Sequence, residues 1–186
     1  MITFEMALIG HKGVGKTTLG KIWAKELGYI FFDTDDILLK WFSANLAKNY
    51  SSPAMAYRDL GEKIFRDCEH KAFNFFMNKQ VLSLPDGSKV MLATGGGLPL
   101  SQENRLLLEK FKKTFYLFIP PLSLLEHYKK NIRPSFLNVN DAAEFLKWYY
   151  ERDQVYRSIA SECIDSYVTH YPYHEEERNR PLQMHS

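Results

Sequence analysis

Short apolar runs alternate along this chain with stretches whose apolar residues recur at helical spacing, and that alternation sets the expected architecture. Residues 4–9 read as a buried strand. Residues 16–27 read as a helix with Leu19, Ile22, Trp23 and Leu27 on one face and Gly28 as its stop. Residues 29–32 form a second strand ending at Asp33. Helical spacing resumes over 36–60 but is interrupted by the polar stretch 45–52 and by Pro53. A helix over 61–79 carries Ile64, Phe65, Cys68, Ala72, Phe75 and Phe76 on its inner side. The turn Pro85-Asp86-Gly87 leads into a third strand, 89–93, which runs into three glycines. A helix at 103–111, a strand at 114–119 and a helix from Pro121 to Lys130 follow, with the proline in its first turn. Residues 131–140 read as a mobile loop. Asp141 opens a long helix, with Glu144 completing a capping box, and a fifth strand spans 163–168. From His170 the chain is polar and expected to fray.

Strands alternating with helices specify an α/β fold: a five-stranded parallel sheet with helices on both faces. One domain is expected over 1–170, with a polar tail over 171–186. Ligands of such sheets bind beyond the carboxyl ends of the strands. The first three strands run into Gly10, Asp33 and Gly95, so the candidate chemistry collects at one rim.

Composition narrows the function classes. With 186 residues, 45% hydrophobic and 25% charged, the chain has the balance of a globular domain and not of a disordered one. A net charge of +2 argues against nucleic acid as the main partner. The aromatic residues, 15% of the chain, fall mostly on apolar faces and read as core, not as base-stacking platforms. No apolar run reaches membrane-spanning length, and the N-terminus lacks a basic region or cleavage site, so a cytoplasmic protein is expected. Cys68 and Cys163 are expected to be reduced thiols. The six histidines show no metal-ligand spacing.

The sharpest motif is Gly10-His11-Lys12-Gly13-Val14-Gly15-Lys16-Thr17, a phosphate loop between a strand and a helix. Its glycines let successive backbone N–H groups point at phosphate oxygens, and the helix N-terminus adds positive charge. Lys16 would reach the β- and γ-phosphates, and the Thr17 hydroxyl would ligate Mg²⁺. After the second strand comes Asp33-Thr34-Asp35-Asp36. Asp33 suits Mg²⁺ through its water shell, and Asp35 suits a base that accepts a hydroxyl proton; a helix N-cap is the plainer alternative. Arg66 and Glu69 stand three residues apart on a helix. They are either a surface ion pair or a guanidinium aimed by Glu69 at a substrate carboxylate. Gly95, Gly96 and Gly97 remove side chains at a strand end, where a ligand would approach the backbone. Lys129, Lys130 and Arg133 form a basic cluster, either a solvated patch or, for Arg133, part of a lid over the phosphates. Arg152 shares a helical stripe with Phe145, Tyr149 and Tyr156; it either snorkels to solvent or meets an anion.

These motifs, in this order, resemble shikimate kinase. The match rests on the phosphate loop, Asp33-Thr34-Asp35, Gly61-Glu62 with Phe65-Arg66, Gly95-Gly96-Gly97, Arg133-Pro134, and Arg152 with Tyr156. The resemblance implies a P-loop kinase fold like that of nucleoside monophosphate kinases, with a mobile lid over about 129–140. It implies a monomer that transfers the γ-phosphoryl group of ATP to the 3-hydroxyl of shikimate, with Mg²⁺ as cofactor and neither nucleic acid nor membrane as partner. It carries catalysis onto Lys16, Asp35 and Arg133, and ATP binding onto Gly13, Val14, Gly15, Lys16, Thr17, Thr18 and Arg133. Shikimate binding goes to Asp35, Arg66, Gly95, Gly96, Gly97 and Arg152, with Glu69 supporting Arg66; the metal goes to Thr17, with Asp33 acting through water. Departures from the pattern are the longer 45–52 segment, Ser135-Phe136 in the lid, Glu126 where some members have an arginine, and no arginine-bearing adenine loop after the last strand. Rival readings are a kinase of another hydroxy acid such as gluconate, and a non-catalytic nucleotide-binding relative.

Overall fold

The computed structural model describes residues 1–130, 134 and 137–166. Five strands, β1 (Thr3–Ile9), β2 (Ile30–Asp33), β3 (Lys89–Ala93), β4 (Lys113–Phe118) and β5 (Glu162–Asp165), form one sheet in the order β2-β3-β1-β4-β5. Every pairing is parallel, as the sequence pattern requires. Helices α1 (Lys16–Leu27), α2 (Thr34–Leu46), α3 (Pro53–Phe75), α4 (Gln102–Leu108), α5 (Pro121–Lys130) and α6 (Ala142–Ile159) connect the strands. Among the described residues no helix is long and apolar enough to cross a membrane.

The two faces of the sheet separate cleanly. Ala7 and Ile9 of β1 pack into one core with Val90, Leu92, Phe42, Phe73 and Phe76. Leu8, between them, packs into the other with Leu117, Leu124, Tyr128 and Phe145. This is the period-two alternation of a strand buried on both sides.

Several expectations are corrected. The break expected over 45–53 is present between α2 and α3, but Pro53 belongs to the helix after it, at the first turn of α3, with the Ser52 hydroxyl accepting from Met55 N–H as the N-cap. A kink at Gly61, whose φ of 75° lies in the left-handed region, marks the expected start of the 61–79 helix. The end of the predicted 61–79 helix is a π-helical turn over Phe76–Gln80. On α1 the inward face is Leu19, Gly20 and Ala24, while Ile22 and Leu27 are about half exposed. Gly20 allows the close approach: a Cβ there would lie 2.5 Å from the Phe31 ring. On α3, Ile64 and Phe75 point outward, and Glu69 and Phe73 take the inner positions. The predicted 103–111 helix is the shorter α4, capped by Ser101. The strand expected over 163–168 is seen as β5; residues 167 and 168 and the 171–186 tail lie outside the described residues. Asp141 caps α6 as expected, accepting from Ala143 and Glu144 N–H at 3.0 Å each. Cys68 is buried and Cys163 exposed; neither forms a disulfide.

Candidate active site

The carboxyl ends of β1, β2 and β3 meet at one rim. The loop after β1 is turned by positive φ at Gly10, Gly13 and Gly15, and it delivers Lys16 to the first turn of α1. Lys16 is buried, and its Nζ donates to the carbonyls of Gly10 at 2.9 Å and His11 at 2.7 Å. Burial pushes its pKa down to about 8, partly opposed by Asp35 and Asp33. Thr17 stands beside it, with Oγ1 donating to Asp33 Oδ2 at 2.6 Å.

Asp33 serves two purposes. It is the N-cap of α2, with Oδ1 accepting from Asp35 N–H at 2.9 Å, and its other oxygen faces Thr17. The plain N-cap reading and the functional one are therefore both satisfied. Asp35, in the first turn of α2, points at the glycine strip. Desolvation, then the Asp33 charge, raises its pKa to about 6, against the pull of Lys16. A carboxyl poised there can accept a proton near neutral pH.

The three glycines order the rest of the site. A Cβ at Gly95 would lie 2.7 Å from Asp35 Oδ1, one at Gly96 3.2 Å from Lys12 N, and one at Gly97 2.3 Å from both terminal nitrogens of Arg66. The missing side chains thus make room for protein groups as well, while the three glycines also line a cavity. We expect Gly97→Ala to lower the melting temperature, because the Arg66 guanidinium has to move while it pairs with the nearly buried Glu69 carboxylate. The apparent KM for the acceptor should rise by roughly tenfold, from misplacement of the guanidinium. Steady-state kinetics beside a thermal melt checks this.

Arg66 and Glu69 are not the surface pair that their spacing allows. Arg66 Nη1 donates to Glu69 Oε2 at 2.6 Å, and the Glu69 side chain is only 8% exposed. Burial raises the Glu69 pKa and the arginine opposes that. Arg152 does not snorkel away: its Nη1 donates to the Gly96 carbonyl at 3.3 Å and its guanidinium lies 4.7 Å from the Trp148 ring. Tyr156 donates to the same carbonyl.

Asp35, Arg66, Glu69, the three glycines and Arg152 line a cavity of about 470 Å³ that also takes in Lys12, Ser52, Pro53, Ala54, Tyr57, Phe65, Pro134 and Trp148. Sequence reasoning missed Tyr57, Trp148 and the 52–54 stretch as wall residues. Trp148 was findable, one turn before Arg152 on the same helix. The extra 45–52 segment is tied down by Asp59, which pairs with Lys48 at 2.8 Å and accepts from the Tyr50 hydroxyl, and its end becomes the cavity wall. Arg133 lies outside the described residues, as does the segment expected to meet adenine. Leu137 and Val139, at the C-terminal end of the segment expected to form a lid, are buried. Glu126 pairs with Lys129 at 3.0 Å.

The family model for shikimate kinase matches residues 12–175. The chain belongs to the shikimate kinase family. It is 34% identical over 163 residues to the shikimate kinase of Neisseria gonorrhoeae (strain ATCC 700825 / FA 1090), covering 87% of each chain. It is 29% identical over 162 residues to that of Thermodesulfovibrio yellowstonii, covering 87% of this chain and 85% of that one. Among solved structures, the shikimate kinase from Acinetobacter baumannii in complex with shikimate superposes with a TM-score of 0.68 and 26% identity, over 88% of this chain and 83% of that one. The shikimate kinase of Bacteroides thetaiotaomicron gives a TM-score of 0.65 at 23% identity, over 87% and 86%, and supports the fold.

One residue of the phosphate loop is unusual in its surroundings. His11 is fully buried, stacked on Tyr149 at 4.4 Å and edge-on to Tyr156, and neither ring nitrogen has a hydrogen-bond partner among the described residues. Desolvation, then the charges of Arg152 and Lys16, lowers its pKa to about 3. The unfolded chain takes up a proton below about pH 6.5, which the folded one resists, so stability is complete above that pH and falls on acidification towards pH 3. Between pH 7.5 and pH 5 this group should cost about 2 kcal/mol. Urea melts of His11→Phe at both pH values should lose that part of the slope; an unchanged slope contradicts it.

Proposed function

We propose that the protein transfers the γ-phosphoryl group of Mg·ATP to the 3-hydroxyl of shikimate, giving shikimate 3-phosphate and ADP. The reading is carried by the shared cavity, in which Asp35 adjoins Gly95 at one end of the glycine strip, Arg152 meets Gly96 and Arg66 adjoins Gly97 at the other end. A substrate with a carboxylate at one end and ring hydroxyls at the other fits that polarity. Asp35 takes the hydroxyl proton as the oxygen attacks the γ-phosphorus. The bond to the β–γ bridging oxygen breaks, and its electron pair leaves with ADP. Lys16 and the N–H groups of Gly13, Val14, Gly15, Thr17 and Thr18 hold the phosphates, with Arg133 assigned to close over them.

Thr17 and Asp33 fit a magnesium ion: one hydroxyl and one carboxylate side by side, with phosphate and water completing the set. Bound there, the ion would neutralise phosphate charge.

Gluconate also carries a carboxylate and hydroxyls. The aromatic walls Tyr57, Phe65 and Trp148 favour a cyclic acceptor over an open chain. Calorimetric titration tests the polarity. Shikimate should bind, its methyl ester should bind at least about tenfold more weakly, and Arg152→Ala should remove most of that difference. Equal affinity for acid and ester would sink the arginine assignment.

A further inference from the structure

The substrate cavity holds a cation that the reaction as described does not use. Lys12 lies in the phosphate loop, yet it lines the acceptor cavity together with Asp35, Arg66 and Arg152. Its backbone is fixed on two sides. The Tyr128 hydroxyl donates to its carbonyl at 2.7 Å, and a Cβ on Gly96 would come within 3.2 Å of its nitrogen. The loop therefore has little freedom in where it launches this side chain.

The glycine strip gives the cavity a direction. Asp35 adjoins Gly95, the Lys12 backbone and Arg152 adjoin Gly96, and Arg66 adjoins Gly97. Arg66 is engaged by Glu69, and Arg152 by Trp148 and the Gly96 carbonyl. On the donor side Lys16 belongs to the nucleotide's phosphates. The charge of Lys12 is felt by both Lys16 and Asp35, so it is within electrostatic reach of a donor-side and an acceptor-side group. A phosphoryl group that crosses from one oxygen to the other arrives with its negative charge in this region, where a cation stabilises it.

We propose that Lys12 is the acceptor-side phosphate contact, a catalytic residue whose ammonium meets the phosphoryl group as it reaches the acceptor oxygen and then holds the 3-phosphate of the product. This rests on the shikimate kinase reading above. Shikimate itself has no phosphate, so Lys12 adds little to its affinity. The lysine discriminates between substrate and product, and between ground state and transition state.

The test is equilibrium binding of shikimate and of shikimate 3-phosphate, each alone, to the wild-type protein, Lys12→Met and Lys12→Arg, with a thermal melt of each. Methionine keeps the length of the side chain and removes the charge, and the Tyr128 bond goes to the backbone. Lys12→Met should bind shikimate within about threefold of wild type but the 3-phosphate at least about tenfold more weakly, with an unchanged melting temperature. Lys12→Arg should recover most of the loss. At saturating substrates, Lys12→Met should lower kcat by roughly tenfold or more, with KM for ATP and shikimate little changed. A wild type that binds both ligands while Lys12→Met binds the 3-phosphate equally well overturns this proposal alone. A wild type that binds neither ligand overturns it together with the shikimate kinase reading.

Discussion

Lys16→Ala is expected to lower the rate of ADP formation by on the order of 10²–10³-fold or more, while the protein stays folded. The nitrogen of Lys16 is held within the loop, donating to the carbonyls of Gly10 and His11. When phosphate enters, those carbonyls are poor competitors for a cation, and the ammonium transfers to the β- and γ-oxygens. Its stabilisation grows as charge shifts during transfer, so its loss falls on kcat. The fold has little at stake. Two carbonyls lose a donor, at roughly 1 kcal/mol each at most, and a cation no longer has to be buried. A coupled ADP assay beside a circular-dichroism melt checks both halves. A rate within about threefold of wild type would remove Lys16 from the mechanism.

Asp35→Asn should separate activity from stability in opposite directions. The amide cannot accept the proton, and loss of a positioned base typically costs 10²–10⁴-fold. The wild-type carboxyl, with its pKa raised to about 6 by desolvation and then by Asp33, has to ionise against its surroundings. Its unfolded value is 3.8. The unfolded chain therefore releases this proton first, stability falls as pH rises from about 4 to 6, and the deficit persists above. At pH 7 the deficit is at most about 3 kcal/mol. The amide removes it, less the counter-charge that Lys16 loses, so Asp35→Asn should be more stable at pH 7 by about 1–2 kcal/mol. Wild-type kcat/KM for shikimate should climb as pH rises through about 6, since that parameter reports the free enzyme. Denaturant melts at pH 4.5 and pH 7, with a pH–rate profile, provide the check. A less stable variant, or a flat profile through pH 6, contradicts the assignment of Asp35 as the strained base.

What the sequence disclosed and what it hid follow from the range of the interactions involved. The phosphate loop and the ends of β1, β2 and β3 were legible because each is a local strand–turn pattern that backbone chemistry dictates. The inner faces of α1 and α3 were read less well. Periodicity marks which residues share a stripe, but Gly20 and Ala24 could be chosen over Ile22 and Leu27 only by the close approach of Phe31 and Leu8. Spacing left Arg66 and Glu69 ambiguous for a similar reason. The pair's place depends on distant chain: Gly97 leaves the volume that Arg66 fills, and Glu69 is nearly buried beside it. The 45–52 segment was legible as an interruption but not as a cavity wall, because Asp59, which holds Lys48 and Tyr50, lies beyond it on the next helix. Lys12 was hidden inside a motif whose other residues explained it too readily.

The most direct test of the account is ADP release from Mg·ATP by the full chain, with shikimate, with gluconate and with no acceptor, using Lys16→Ala as the blank. Release is expected to depend on shikimate, to be absent with gluconate and to be lost in Lys16→Ala. Release with gluconate but not shikimate, or ATP binding with no acceptor-dependent release at all, would contradict it.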